Sequence, residues 1–147
     1  MITADLEVLN LHDDGFHLLV EVVVFGQSFK AVVDTGASRT VLDRNTIETY
    51  VSAAELLISD KLSTGLGTNS MESHTLTVPL LQIGQLALNK FEAAVLDLSM
   101  INTAYHSLEV GPIIGVIGGD ILMRYNGVIS YPTRQLSFEI SGDESHF

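Results

Sequence analysis

No single hydrophobic periodicity runs for long in this chain, because glycine or polar turns cut each apolar run after a few residues. Leu6-Glu7-Val8-Leu9-Asn10-Leu11 alternates apolar and polar residues, the pattern of a half-buried strand. His12-Asp13-Asp14-Gly15 carries the hairpin dipeptide Asp-Gly, and His17 to Phe25 reads as the returning strand. Gly26-Gln27 turns the chain into a third strand, Ser28 to Val33. His74 to Leu81 and Leu86 to Leu98 read as strands joined at Ile83-Gly84-Gln85. Pro112 to Gly118 reads as a buried strand. Gly127 to Ser130 and Gln135 to Ile140 form a closing pair around Tyr131-Pro132-Thr133. Helix is confined to short pieces. Asp43 to Tyr50 is a helix or turn behind an Asp cap, and Ile101 to Leu108 is a helix behind an Asn or Ser cap. Gly119 to Arg124 is a helix with Asp120 in its first turn, where the helix dipole favours an acid. Many short strands, Gly-rich turns and little helix predict an all-β barrel or sandwich with one or two short helices.

The length of 147 residues suits one domain, predicted over 1–140, with 141–147 as a polar, flexible tail. There is no internal repeat. With no cysteine, the chain has no disulfide, no thiolate nucleophile and no Cys-based metal site. Seven basic residues against 18 acidic ones give a formal charge of −11, which argues against a nucleic-acid surface or a polybasic membrane patch. The segment Met1 to Glu7 has neither a basic nor an apolar leader region, and Pro112 to Leu122 is too short and too glycine-rich to span a membrane. The expectation is a cytoplasmic protein. The five histidines show no ligand spacing, so neither a metal nor a cofactor is expected.

The chemistry concentrates in Ala31-Val32-Val33-Asp34-Thr35-Gly36-Ala37-Ser38-Arg39-Thr40-Val41-Leu42. An acid follows an apolar strand and precedes a glycine turn. Such an acid is expected to point toward the interior, where a carboxylate needs a partner or a proton. Thr35 offers a hydroxyl to tie the loop. Gly36 lets backbone approach whatever docks against Asp34. The triplet Asp-Thr-Gly occurs once.

These residues resemble the retropepsin-like aspartic peptidases, the family of retroviral proteases and their cellular and bacterial relatives. Asp34-Thr35-Gly36-Ala37 followed by Thr40-Val41-Leu42 is similar to the family's active-site loop and the strand after it. Some 80 residues on, Val116-Ile117-Gly118-Gly119-Asp120-Ile121-Leu122 resembles the second signature, two apolar residues and a glycine before a short helix. Gly65-Leu66-Gly67 lies where the family places its flap. The resemblance spans roughly residues 16 to 140. It implies a single-lobe, closed β-barrel and an aspartic endopeptidase completed by homodimerisation. Two Asp34 carboxylates would share a proton and activate a water against a peptide bond. Thr35 would lock the two loops, and Gly36 would offer its carbonyl to substrate. Ala37, Ser38, Gly65, Leu66, Gly67 and Ile117 would contact the peptide.

Two departures point to a non-viral branch. Retroviral members carry an acid at the position of Ser38 and an arginine at that of Gly119, and here both are absent together. The stretch from Gly67 to Pro112 is longer than the compact viral pattern, and Ile101 to Leu108 has no clear counterpart there. The partners expected are a peptide or protein substrate and a second copy of the chain. A silent peptide-binding module on the same fold is the alternative, gripping an extended chain by strand addition. A structural protein dimerising through its terminal strands is a third.

Overall fold

The computed structural model describes residues 1–11, 15–51, 74–107 and 110–140, together with the backbone of 57–58. The elements run β1 (Ile2–Asn10), β2 (Phe16–Val24), β3 (Gln27–Val33), β4 (Val41–Asp43), α1 (Arg44–Ile47) and β5 (Leu57–Ile58). They continue as β6 (His74–Ile83), β7 (Leu86–Leu96), α2 (Ser99–His106), β8 (Ile113–Ile117), α3 (Gly119–Arg124), β9 (Val128–Ser130) and β10 (Gln135–Phe138).

Strand β2 closes the sheet into a barrel. One edge pairs over Leu19–Val24 with β3. The other edge is divided: residues 16–20 pair with β1, and Val22–Val24 pair with β6. The circuit β2-β3-β8-β4-β7-β6 therefore returns to β2 and encloses six strands. The pairs β3–β8 and β4–β7 are parallel; the other pairs in the circuit are antiparallel. Beyond the barrel, β1 continues into an arm with β10 and β9. Full closure leaves the barrel itself without an open edge.

Local chemistry explains the turns. Phe25 and Gly26 both take positive φ, 55° and 72°, as a two-residue hairpin between β2 and β3 requires. Gly84 takes φ +55° in the β6–β7 turn, and a Cβ there would lie 2.5 Å from the Ala4 Cβ. This bare turn lies directly on β1. Gln85 N–H donates to the Thr3 carbonyl at 3.0 Å, and Thr3 N–H donates to the Gln85 side chain at 2.9 Å. In the β6–β7 hairpin, the ladder is interrupted between Val78↔Phe91 and Leu80↔Asn89. Pro79, which has no N–H, and Lys90 at φ 52° occupy the gap.

The main core fills the barrel with Val20, Val22, Val24, Ile83, Leu86 and Ile117 among others. A smaller cluster of Leu19, Tyr105, Val110 and Ile113 lies between the sheet and α2. Register explains its position. Leu19 faces Val32, and Val32 faces Val116, so these side chains share the face opposite the barrel core.

The all-β barrel expectation holds, with three short helices instead of one or two. β1 begins at Ile2, earlier than the alternation suggests, because Ile2–Asp5 find a partner in β10 at the far end of the chain. α2 begins at Ser99, ahead of the expected Ile101. Its cap residue is Leu98, and the polar group serving the first turn is Asp97, whose Oδ1 accepts from Ser99 N–H at 2.9 Å. The Asp cap at α1 is present: the Asp43 carboxylate accepts from the Thr46 N–H and hydroxyl at 3.3 and 2.9 Å. Residues 12–14 of the expected turn, Gly65-Leu66-Gly67 and the tail at 141–147 lie outside the described residues.

Candidate active site

Asp34 is the first residue beyond β3, beside the end of the parallel strand β8. Its N–H donates to the Ile117 carbonyl at 3.0 Å, which carries the β3–β8 pairing one step past the strand. The chain then turns tightly. Gly36 N–H donates to Asp34 Oδ1 at 2.9 Å, and Ala37 N–H donates to the Asp34 carbonyl at 3.2 Å. The far side of the turn rests on α3, where Gly119 N–H donates to the Ala37 carbonyl at 2.7 Å. Gly118 makes this approach possible: a Cβ there would lie 2.6 Å from the Arg39 carbonyl oxygen and 2.9 Å from that of Ala37.

A second clamp lies beneath the loop. Thr40 is fully buried, and both its N–H and its hydroxyl donate to the Asp120 carboxylate, at 2.9 and 2.8 Å. The same hydroxyl oxygen accepts from Gly118 N–H at 3.1 Å. Arg39 adds an ion pair to Glu92 of β7 at 3.3 Å, which contributes little because Glu92 is exposed.

This scaffold presents Asp34, Thr35, Gly36 and Ser38 exposed, and Ala37 half-buried. Asp34 therefore does not point into the interior, contrary to the expectation from its apolar flank. β3 ends at Val33, whose side chain takes the last core position, and the carboxylate emerges at the barrel rim, where water solvates it. Ile117 also differs from its expected role. Its side chain is fully buried in the barrel core, and the alternation of β8 turns Val116 toward the cavity beside Asp34. Gly65, Leu66 and Gly67 lie outside the described residues.

The cavity next to Asp34 holds about 500 Å³. Its floor is Leu11, His17, Val32 and Val116, from the outer face of the sheet. Its wall is Ile101, Ala104, Tyr105 and Ser107, from α2 and the residue after it. The Tyr105 hydroxyl is hydrogen-bonded to His17 Nδ1. Burial, and then the negative charge of Asp34, hold the Tyr105 phenol above the ordinary tyrosine range. Sequence reading missed this wall and the Thr40–Asp120 clamp. The apolar Ile101 and Tyr105 on a four-residue spacing were the available signal for the wall. Among the described residues, no group of three or more His, Asp or Glu could hold a metal ion, and no helix is long and apolar enough to cross a membrane.

A closed six-stranded barrel with an Asp-Thr-Gly loop clamped between two strands and a short helix is a retropepsin-like lobe. Comparison with known proteins agrees. The family described as aspartyl protease matches residues 20–121. Among solved structures, the chain is similar to a retropepsin-like aspartic protease from Rickettsia conorii, at 18% identity and a TM-score of 0.57, covering 92% of this chain and 93% of that one. It is also similar to the retroviral protease-like domain of Ddi1 from Leishmania major, at 14% identity and a TM-score of 0.56, covering 86% of this chain and 95% of that one. No curated protein sequence matches it significantly. The chain belongs to the aspartyl protease family.

Proposed function

We propose that the protein is an aspartic endopeptidase whose site is completed by a second copy of the chain. The observation that carries this reading is the presentation of Asp34: an exposed carboxylate on a hydrogen-bonded loop, at the mouth of an apolar cavity. One carboxylate is half of an aspartic-peptidase pair. The exposure of Thr35 and Gly36 leaves the tip of the loop open to a symmetry mate. The arm offers further contact surface. β9 ends the strand order among the described residues, and Val128, Tyr131 and Met123 are exposed apolar side chains on or near it.

In the dimer, two Asp34 carboxylates face each other and share one proton. The ionised member takes a proton from a bound water, and that water attacks the peptide carbonyl. The protonated member stabilises the developing oxyanion, and a proton then passes to the leaving nitrogen. Thr35 bonds across the two-fold axis. Gly36 offers its carbonyl to the peptide backbone, with Ala37 and Ser38 alongside. Gly65, Leu66 and Gly67 are assigned to the peptide contacts from the family resemblance alone.

The test compares wild type with Asp34→Asn on an unstructured protein at mildly acidic and at neutral pH, alongside light scattering over a dilution series. Cleavage that disappears in the variant, with a mass near twice 15.9 kDa, is the expected result. Equal cleavage by both proteins overturns the catalytic role of Asp34. Peptide binding without cleavage assigns the chain to the silent module instead.

A further inference from the structure

His17 and Tyr105 join the floor of the cavity beside Asp34 to its wall. His17 stands near the start of β2, opposite Leu9 of β1, and is exposed. Tyr105 lies in the last turn of α2, buried with Leu19, Val110 and Ile113. The helix is held in mid-length by Asn102, whose side chain accepts from Ile113 N–H at 2.6 Å and donates to the Ile113 carbonyl at 3.1 Å. The phenol oxygen and His17 Nδ1 therefore meet from two fixed elements. A buried phenol O–H needs an acceptor, and Nδ1 is the partner this hydroxyl has among the described residues. With a neutral imidazole, Nδ1 accepts from the phenol and the ring proton sits on Nε2. With a charged imidazole, both ring nitrogens are donors. Nδ1 then donates to the phenol oxygen, and the O–H must turn to another acceptor. Tyr105 lines the cavity that Asp34 lines, so the released O–H is available to a group bound there.

We propose that proton uptake by His17 reverses this hydrogen bond and turns the Tyr105 hydroxyl into a donor for the oxygen of the peptide bond held at Asp34. Tyr105 then touches substrate, directly or through one water, and His17 is a positioning residue. This rests on the endopeptidase reading and adds to it two residues outside the Asp-Thr-Gly loop. A donor that meets the charge developing on the peptide oxygen stabilises the transition state. An imidazole ordinarily changes charge between about pH 5 and 8, and exposure lets the proton reach His17 from water. Tyr105, held above the ordinary tyrosine range by burial and then by the Asp34 charge, keeps its own proton throughout that interval. Of the described residues that line the cavity, His17, Asp34 and Tyr105 are the ones that titrate; after β1 comes Leu11, from β3 Val32 and from β8 Val116. Glu7 and Lys30 are paired with each other at 2.8 Å and, with Glu21, line a separate cavity. His106, next to Tyr105 on α2, lines another with Asp43.

The experiment uses the full chain at about pH 5.5 and about pH 7.5, on either side of the ordinary imidazole value. Its first readout needs neither substrate nor variant. The ring-nitrogen resonances of His17 are expected to show Nδ1 as an acceptor at the higher pH and as a donor at the lower, with the hydroxyl-bearing ring carbon of Tyr105 shifting in step. An Nδ1 that keeps one role at both pH values overturns the proposal. The second readout is kcat on a peptide spanning one bond that wild type cleaves in an unstructured protein. Tyr105→Phe keeps the ring packing and removes the O–H. His17→Gln keeps a hydrogen-bonding partner and removes the titratable charge. In each, the ratio of kcat at the lower pH to kcat at the higher is expected to fall about tenfold below that of wild type, the scale of one hydrogen bond. Met100→Ala, at an exposed position of α2, is expected to leave the ratio unchanged. If the pair merely holds the helix, both variants lower kcat alike at the two pH values; that unchanged ratio overturns the proposal and keeps the endopeptidase. No cleavage by wild type at either pH sinks the endopeptidase reading, and the role of Tyr105 toward the peptide bond falls with it.

Discussion

Thr40 and Asp120, 80 residues apart in sequence, join the two halves of the site through a pair of hydrogen bonds at 2.8 and 2.9 Å. Thr40 follows the Asp34 loop, and Asp120 opens α3 behind the second glycine signature. The Thr40 hydroxyl also accepts from Gly118 N–H, so one buried oxygen serves both sides. Thr40→Val keeps the shape and removes the oxygen. It leaves the Gly118 N–H without this acceptor and takes a donor from Asp120. The expected cost is about 1–3 kcal/mol, the range for a buried polar group left unsatisfied. Thr40→Ser, which keeps the hydroxyl, is expected to lose clearly less. Urea unfolding of the three proteins measures both, and an unchanged midpoint in Thr40→Val would contradict the clamp.

Gly118→Ala tests the close approach of β8 to the loop. The added Cβ would start 2.6 Å from a carbonyl oxygen that belongs to rigid backbone. Something must move, and the Ala37–Arg39 stretch is the segment it meets. Overpacking of this kind costs typically about 1–3 kcal/mol. The expected outcome is a lower thermal midpoint together with shifted amide resonances at Asp34 to Arg39. Gly111→Ala, where a Cβ meets nothing within 4 Å, is the matched control and is expected to change little.

The barrel was legible in the sequence where local chemistry decides the structure. Asp43 caps α1, the Asp-Thr-Gly loop follows β3, and α3 begins at Gly119 as expected. What could not be read was set by contacts between distant residues. Ile2–Asp5 are strand because β10 pairs with them. Asp34 is exposed because β3 ends at the barrel rim, and no local pattern encodes where a barrel ends. Ile117 belongs to the second signature and so reads as a substrate contact, but a one-residue step along β8 separates core from cavity. The wall formed by α2 depends on Asn102 meeting Ile113 and Tyr105 meeting His17, pairings that no spacing in the sequence announces.

Acid is expected to loosen the attachment of α2. The Ser99 hydroxyl and N–H, followed by the Asn45 amide and the Arg44 charge, hold the Asp97 carboxyl below the ordinary carboxylate range. A carboxyl lowered in the folded state stabilises it above the unfolded value, and that contribution disappears as pH falls through the lowered value. The window therefore lies below about pH 4. Wild type is expected to unfold at a higher temperature than Asp97→Ala at neutral pH, with the gap closing in strong acid. A gap that is constant from neutral pH to strong acid would remove Asp97 from the account.

Tyr105 provides a spectroscopic link between the helix and Asp34. Its phenol is raised above the ordinary value of about 10, first by burial and then by the Asp34 charge. A raised value means that the folded state favours the protonated phenol. The resulting stability is complete below the unfolded value and is lost as pH climbs through the folded one. Tyrosinate absorbance recorded for wild type and for Tyr105→Phe isolates this one residue by difference. The difference is expected to titrate above the ordinary tyrosine range. Repeating the pair in an Asp34→Asn background removes the nearby charge, and the difference titration is expected to move part of the way down, with burial supplying the remainder. A titration that does not respond to Asp34→Asn would place the carboxylate too far from Tyr105 to act on it, and the shared cavity would then need a different geometry.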